Sequence, residues 1–379
     1  MSDLLSVATA AAGGAEPWTR REIFQQPETL RATCALLAAE REAIQGFLAP
    51  LLARPDLRIV LAGAGTSAFI GECLAAWLAR STGRCVEAIA TTDIVGAPDL
   101  YLRAETPTLL VSFGRSGNSP ESLAAIELVD TRVAEAHHLI ITCNADGALA
   151  QRRGGDAHVV VLPEATHDRG FAMTSSFSAM MFAALAVFSG LDAFGGRIEP
   201  IARAVGEVLA AAEPRMAALA ARRFERVVYL GSGPFKGLAR EAALKLLELT
   251  DGALVTAFDS TLGFRHGPKT IVNRETLVVV FVSNDPLTRA YDRDMIEELR
   301  ADDVAGAVLT VSARSETGET IAVRGLEQAD DCDLLFPYIV PAQLFALHAS
   351  LERGLTPDTP NTAGTVNRVV QGVRIHTAA

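Results

Sequence analysis

The amino-acid sequence predicts an α/β protein with two tandem copies of one unit, each a doubly wound parallel sheet flanked by helices. From residue 57 onward, short apolar β-prone runs alternate with helical patterns, which is typical of parallel strands joined by crossover helices. The scheme then recurs: Arg226 to Leu230 runs into Gly231-Ser-Gly-Pro234, much as Ile59 to Ala62 runs into Gly63-Ala-Gly-Thr66. A chain of 379 residues, 49% of them hydrophobic, is long enough for two such cores.

The elements of the first unit follow in chain order. Residues 17–52 are expected to form helices packed on the first sheet, starting at a capping box of Thr19 and Glu22 and restarting at Pro27. The expected strands lie at 58–62, 86–91, 109–113, 139–143 and 158–162. After a turn at 63–67, helices are expected at 68–81 and 176–190.

The second unit follows a long alanine-rich helical segment, which we expect to be interrupted at Pro214. Its strands are expected at 226–230, 253–258, 276–283 and 307–311, with a helix at 238–250. These elements predict an N-terminal helical segment at 1–52, a first domain at 53–200 and a second domain at 201–379.

Composition excludes several classes of function. A net charge of −11 argues against nucleic acid or an anionic membrane as a partner. The most apolar stretch, Phe177 to Leu191, is broken by serines and fits a buried helix better than a membrane span. The chain does not open on an export signal, so we expect a cytosolic protein. Five scattered cysteines form no zinc or disulfide pattern, and we expect no metal or organic cofactor; His167 and Asp168 are the nearest candidate ligands.

The run from Thr108 to Ser122 predicts an anion-binding turn. An apolar strand ends at Gly114, and Ser119 and Pro120 suit the cap and first position of a helix. Backbone N–H groups, hydroxyls and a helix N-terminus suit phosphate, although a plain strand-to-helix turn is the alternative. The matching turn of the second copy, 283–286, carries Asp285, so we expect only the first copy to hold phosphate.

The turn at 63–68 also fits the dinucleotide pattern G-x-G-x-x-G/A, with Glu87 about twenty residues further on. We rank this second, because Thr66 and Ser67 add hydroxyls where a dinucleotide site mainly needs bare backbone. Two hydroxyl-bearing turns at neighbouring strand ends suit one small phosphorylated ligand at a topological switch point.

Charged residues downstream are candidates for chemistry. Glu241, Lys245 and Glu248 share one stripe of a helix, and the pattern alone favours a solvated face with an ordinary Glu–Lys pair. His266 lies between glycines in a loop, where it is either incidental or turned towards a ligand.

Together these motifs resemble a known family. Gly-x-Gly-Thr-Ser (63–67), the serine-rich turn (116–119), Ala-Leu-Lys-x-x-Glu (243–248) and His-Gly-Pro (266–268) resemble double sugar isomerase (SIS) proteins, including the isomerase half of glucosamine-6-phosphate synthase. The longer strings at 164–177, 258–269 and 364–373 resemble the AgaS branch of galactosamine-6-phosphate deaminase/isomerases, formerly called tagatose-6-phosphate ketose/aldose isomerases. The resemblance runs from about residue 19 to 373 and implies two tandem SIS domains of flavodoxin-like fold.

The resemblance also implies roles for single residues. Glu248 would be the base, His266 would assist ring opening from its own or a partner subunit, and Lys245 would steer charge beside Glu248. The implied substrate-binding residues are Gly65, Thr66, Ser67, Arg115, Ser116, Gly117, Asn118 and Ser119 around the phosphate and Ala172, Thr174 and Ser175 beside the sugar. One departure is the tail at 361–366, which lacks the active-site lysine of the synthase relatives.

The function implied is conversion of galactosamine 6-phosphate or glucosamine 6-phosphate to a ketose 6-phosphate and ammonia, without a cofactor. Two alternatives remain open: aldose–ketose isomerisation of a neutral sugar phosphate, and a non-catalytic sugar-phosphate sensor. The expected partners are the small sugar phosphate and further copies of the chain, as a homodimer or a higher homo-oligomer.

Overall fold

The computed structural model describes residues 16–370 and 372–376, and the described chain opens with three helices. They are α1 (Trp18–Phe24), α2 (Gln26–Ala39) and α3 (Arg41–Leu52), as predicted for residues 17–52. The predicted capping box is wrong, since Pro17 precedes α1 and no side chain caps it. The hydroxyl of Thr19 instead donates to Asp358 at 2.7 Å, and Glu22 accepts from the amide of Gly170 at 3.1 Å. Both residues are taken up by long-range contacts.

The first sheet has five parallel strands in the order β2-β1-β3-β4-β5. They are β1 (Arg58–Ala62), β2 (Cys85–Ala88), β3 (Thr108–Gly114), β4 (Ala136–Thr142) and β5 (Ala157–Val161). The helices of this half are α4 (Thr66–Thr82), α5 (Thr91–Gly96), α6 (Pro98–Tyr101), α7 (Pro120–Arg132), α8 (Ser175–Ser189) and α9 (Leu191–Gly195). The strand order reverses between β1 and β3, where ligands of doubly wound sheets bind.

The second sheet repeats this topology in the order β10-β9-β8-β6-β7. Its strands are β6 (Arg226–Gly231), β7 (Val255–Asp259), β8 (Thr276–Phe281), β9 (Ala307–Ser312) and β10 (Thr320–Ala322). Its helices are α10 (Ile198–Ala221), α11 (Pro234–Leu249), α12 (Thr261–Phe264), α13 (Pro286–Asp302) and α14 (Asp331–Glu352). Counted from β7, the order matches the first sheet strand for strand, and the predicted fold class is confirmed.

Two helices differ from the sequence expectation. The predicted interruption at Pro214 is wrong, because α10 continues through it with buried Ala212 and Met216 on either side. Helix α14 was not predicted, since Pro337 and Pro341 lie inside it. It is long and apolar enough to cross a membrane by length and composition, but 89% of its most apolar window is buried within the protein.

A single apolar core lies between the two sheets. Ile59 and Leu61 of β1 and Tyr229 of β6 face this core, whereas Val60 and Val228 face the helices on the outer surfaces. This alternation follows from the two-residue period of a strand. Helices α4, α8, α10, α11 and α14 contribute to the shared core, so packing couples the two halves. The predicted boundary at residue 200 separates the sheets, and the exact domain limits stay a prediction.

Helices α4 and α11 connect the two halves by close backbone contact at Gly237. A Cβ built on Gly237 would lie 2.7 Å from the amide nitrogen of Cys73 and 2.8 Å from the carbonyl carbon of Glu72. Backbone atoms cannot give way as a flexible side chain can, so glycine is needed for the helices to approach this closely.

We predict that Gly237→Ala destabilises the protein by about 1–3 kcal/mol, because the added methyl group forces the two helices apart. Denaturant unfolding of the full-length chain measures this. Gly46→Ala is the matched control, since no atom lies within 4 Å of a Cβ built at that helical position, and it should be neutral or stabilising by about 0.5–1 kcal/mol. Equal stability of Gly237→Ala and the wild type would contradict the close packing.

Candidate active site

Two glycine-containing turns form the ends of β1 and β3, where the strand order reverses. After β1, a Cβ on Gly63 would lie 2.6 Å from the backbone of Ser67, and Gly65 has a φ of 56° at the start of α4. After β3, Gly117 has a φ of 66°. These tight, left-handed conformations favour glycine, and they bring the two turns to one edge of the sheet.

The two turns enclose a cavity of about 110 Å³. The predicted binding residues that line it are Ser67, Arg115, Ser116, Gly117 and Ser119. The lining that was not predicted includes Met173 and three residues of the C-terminal tail, Arg368, Val369 and Val370. The cavity is therefore closed by a segment some 250 residues away in the chain from the turn that holds Arg115.

Arg115 supplies a buried positive charge to this cavity. Only 7% of the residue is exposed, and its guanidinium donates to the carbonyl oxygens of Phe171 at 3.0 Å and Arg368 at 2.7 Å. Burial and the guanidinium of Arg368 lower the pKa of Arg115. Among the described residues, no carboxylate forms an ion pair with Arg115. A buried cation held only by neutral carbonyls favours an anionic ligand.

Of the other predicted phosphate residues, Gly65, Thr66 and Asn118 lie outside the cavity lining, whereas Ser119 belongs to it. The side-chain oxygen of Asn118 accepts from the amide of Ala148 at 2.9 Å. The hydroxyl of Ser119 donates to Glu121 at 2.7 Å and makes no capping bond, so the predicted side-chain cap is wrong. Gly65 and Thr66 lie outside the lining and set the course of the first turn.

The three residues predicted to border the sugar do not reach the cavity. Ala172, Thr174 and Ser175 are fully buried. The amide of Thr174 and the hydroxyl of Ser175 donate to Asp168, which also accepts from Ser176. These contacts fix the loop before α8. A direct contact of these three side chains with a sugar stays a prediction that the described geometry does not favour.

Helix α11 carries a buried charge cluster at the junction of the two halves. The ammonium of Lys245 donates to Glu248 at 2.5 Å and to the hydroxyl of Thr66 at 3.0 Å. Glu241 and Lys245 are fully buried, whereas 26% of the Glu248 side chain is exposed. The solvated-face interpretation is therefore wrong. Glu248 is held beside the turn after β1, and part of its side chain is exposed.

The pKa values in this cluster follow from burial. Burial raises the pKa of Glu241 to about 8, although Lys245 lies 3.4 Å away and acts in the opposite direction. Neither carboxyl oxygen of Glu241 has a hydrogen-bond partner among the described residues. Burial alone would lower the pKa of Lys245, but Glu241 and Glu248 outweigh it and the pKa is raised. Lys245 is therefore cationic, and burial favours the protonated form of Glu241.

His266 is not brought to the cavity within one chain. It is exposed in the loop after α12, and its amide donates to the carbonyl of Gly263 at 2.9 Å. Its predicted part in ring opening stays a prediction.

Glu87, the acidic residue that a dinucleotide site would use, already pairs with two arginines. Glu87 accepts from the guanidinium of Arg58 at 2.5 Å and also pairs with Arg103 at 3.3 Å. Arg58 is 2% exposed. The carboxylate that would bind a ribose hydroxyl is thus engaged as the partner of a buried cation.

Possible metal ligands elsewhere are already neutralised by protein groups. Asp130, His138 and Asp156 lie close enough together to share an ion. Arg152 donates to Asp130 at 2.7 Å and to Asp156 at 2.8 Å, so a cation already sits between the carboxylates. Asp168, which the sequence suggested as a possible metal ligand, already accepts four hydrogen bonds from residues at the start of α8.

Comparison with known proteins places this geometry in a family. The family model described as SIS domain matches residues 51–190. An AgaS protein of Streptomyces coelicolor is 52% identical over 366 residues, covering 94% of this chain and 95% of that protein. The D-galactosamine-6-phosphate deaminase AgaS of Escherichia coli is 47% identical over 97% of this chain and 98% of its own length.

A solved structure agrees with these sequence relatives. The crystal structure of tagatose-6-phosphate ketose/aldose isomerase from Escherichia coli has a TM-score of 0.88 and is 45% identical, covering 97% of this chain and 99% of that chain. The similarity spans both sheets and the tail. The chain belongs to the AgaS family of SIS-domain proteins.

Proposed function

We propose that this protein is a deaminase/isomerase of hexosamine 6-phosphates, with galactosamine 6-phosphate as the first substrate to test. The relatives named D-galactosamine-6-phosphate deaminase support this, since they are 45–52% identical over nearly the whole chain. The observation that carries it is the Lys245 bridge, which holds the Glu248 carboxylate beside the turn at Thr66. An anion cavity next to a poised carboxylate suits proton transfer on a phosphorylated sugar.

The phosphate would enter the cavity lined by Arg115 and Ser116. The phosphate at C6 is remote from the reacting carbons of the sugar. The energy of binding this phosphate can therefore be used to position C2 and C1 against the base. A dianion would also pair directly with the buried guanidinium of Arg115, whose hydrogen-bond acceptors within the described chain are carbonyl oxygens.

Glu248 would then take the C2 proton of the open aldose and return a proton to C1. The resulting imine at C2 adds water and releases ammonia, leaving a ketose 6-phosphate. Lys245 bonds the carboxylate of Glu248 and fixes its orientation. Ring opening needs a separate proton donor and acceptor, and His266 is our proposal for it.

We also propose that the protein works in the cytosol as a homo-oligomer. Several apolar side chains are exposed around edge strand β7, close in sequence to Glu248 and His266: Leu247, Val255, Phe258 and Leu262. A second copy covering them would bury this apolar surface and bring another His266 near the site.

The activity test is incubation of the full-length protein with galactosamine 6-phosphate and, separately, glucosamine 6-phosphate, followed by assay of free ammonia and ketose. Equal amounts of both products are expected with at least one sugar.

The second candidate is isomerisation of a neutral sugar phosphate, favoured by the name of the Escherichia coli structure. Interconversion of tagatose 6-phosphate with its aldose, without ammonia from either amino sugar, would decide for it. Binding of a sugar phosphate without formation of any product would indicate a non-catalytic sensor.

Glu248→Gln should lower kcat by about 10²–10⁴-fold, because general base catalysis contributes about that much. Binding of the sugar phosphate should persist, since the phosphate cavity is untouched. Steady-state kinetics and calorimetric titration measure the two effects. Glu297→Gln, an exposed change on α13, is the control. Full activity of Glu248→Gln would remove that carboxylate from the mechanism.

Ser116→Ala should raise KM by about tenfold with little effect on kcat, since a hydrogen bond to a charged group contributes about 1.5–3 kcal/mol. Ser81→Ala, at the exposed end of α4, should leave KM unchanged. An unaltered KM in Ser116→Ala would place the phosphate elsewhere.

Glu241 should make stability fall as pH rises. The pKa of Glu241 is about 8 in the folded chain against an ordinary value of 4.5. Its contribution is therefore complete below about pH 4.5 and is lost as pH rises through about 8. Glu241→Gln should flatten this part of the profile of unfolding free energy, whereas Glu297→Gln should not. A profile with the same slope in both variants would contradict the protonated state of Glu241.

A further inference from the structure

The C-terminal tail returns from the second half of the protein to the first. After α14 ends at Glu352, residues 362–367 are exposed, and so are residues 370 and 372–376. Arg368 and Val369 are the half-buried exceptions in this stretch. They line the phosphate cavity together with Val370. Within residues 362–376, the described tail therefore contacts the first half at one short point, which is the wall of the cavity. Nearer to α14, Asp358 accepts from Thr19 of α1.

Arg368 makes this anchor through the loop before α8. Its Nε donates to the carbonyl of Gly170 at 3.1 Å, and its Nη2 donates to the carbonyl of Asp168. Its own carbonyl accepts from Arg115 at 2.7 Å. The third guanidinium nitrogen, Nη1, donates to no group within the described chain. The side chain thus has its charge and one nitrogen left for a ligand.

Two guanidinium groups consequently meet in one small cavity. Arg115 and Arg368 are close enough that Arg368 lowers the pKa of Arg115. Both are bound by neutral carbonyls of the same loop, Gly170 in particular. Neither forms an ion pair among the described residues. Asp168 and Glu248 act on Arg115 from a distance, but neither forms an ion pair with it. The two guanidinium groups repel each other, and a dianion between them would be attracted to both.

We propose that Arg368 is the second cation of the anion site, and that the tail is a strap held closed by the bound phosphate. This rests on the proposed function only for the identity of the sugar, since any phosphate monoester satisfies the two cations. Without the anion, Arg115 and Arg368 repel and the strap is loosened. With the anion, both are attracted to it and Val369 and Val370 shield the phosphate from water.

The assignment also accounts for the departure in the tail. The resemblance to the synthase relatives implies a lysine in the terminal segment, and the stretch at 361–366 carries none. Here the terminal segment contributes an arginine, and its place beside Arg115 assigns it to the phosphate rather than to the reacting carbons. It is a binding and positioning residue.

The test is calorimetric titration of the full-length protein with inorganic phosphate, a probe that needs no turnover. Arg368→Ala should weaken phosphate binding about tenfold or more, because a charge-assisted hydrogen bond is lost. The phosphate affinity of Arg368→Lys should lie between those of the wild type and Arg368→Ala. Lysine keeps the charge but lacks the planar guanidinium that bonds two carbonyl groups. Arg374→Ala is the matched control, as it removes the same charge from an exposed position of the same tail. Phosphate affinity of Arg368→Ala equal to the wild type would overturn the proposal.

Two further readouts separate binding from general loss of structure. The KM for galactosamine 6-phosphate should rise in Arg368→Ala by the same factor as the phosphate dissociation constant, with kcat changed less. Hydrogen exchange of the amides at 367–370 should slow on phosphate binding in the wild type, and absence of protection would overturn the strap.

These results also distinguish the inference from the proposed function. Phosphate binding that depends on Arg368, in a protein inactive on every hexosamine phosphate, would reject the function and keep the inference. Activity on galactosamine 6-phosphate with no dependence on Arg368 would support the proposed function and reject the role inferred for Arg368.

Discussion

The rest of the site depends on the buried ammonium of Lys245. It bonds Thr66 at the start of α4, in the first half, and Glu248 on α11, in the second half. A fully buried cation is costly unless it is paired and hydrogen-bonded, so this contact fixes how the two helices lie. Gly237 permits the close approach that the contact requires. The ammonium that joins the halves therefore sets the distance between the turn at Thr66 and the carboxylate of Glu248.

The two copies of the fold have diverged at the same topological position. In the first copy the turns after β1 and β3 are open and lined by Arg115. In the second, Asp285 accepts from the amide of Thr288 at 2.9 Å and so occupies the N-terminus of α13. Asp331 accepts from the amide of Asn284 at 2.8 Å nearby. Protein carboxylates occupy the positions that would attract an anion, which supports the prediction that only the first copy holds phosphate.

The loop before α8 positions both arginines, and its own conformation is fixed by buried carboxylates. Asp168 is fully buried and accepts bonds from the first turn of α8. On the other side, Glu22 of α1 accepts from the amide of Gly170 at 3.1 Å. Burial and Asp168 raise the pKa of Glu22 to about 7. Glu22 and Asp168 thus fix the loop whose carbonyl oxygens accept hydrogen bonds from Arg115 and Arg368.

The sequence by itself determined the strands and the two turns, whereas Glu248 became the candidate base only through the resemblance to SIS proteins. Parallel strands buried on both faces are continuous apolar runs, and a glycine-hydroxyl turn has a local cause, so the position of both turns could be predicted from neighbouring residues. The roles of Ser67, Ser116 and Arg115 were implied by the resemblance. Only the tertiary structure decided the burial of Lys245, the continuity of α14 through its prolines, and the place of Arg368. Each of these depends on partners far away in the chain. Spacing and propensity describe only what lies within a few residues, whereas burial and charge pairing are set by whichever segments the fold brings together.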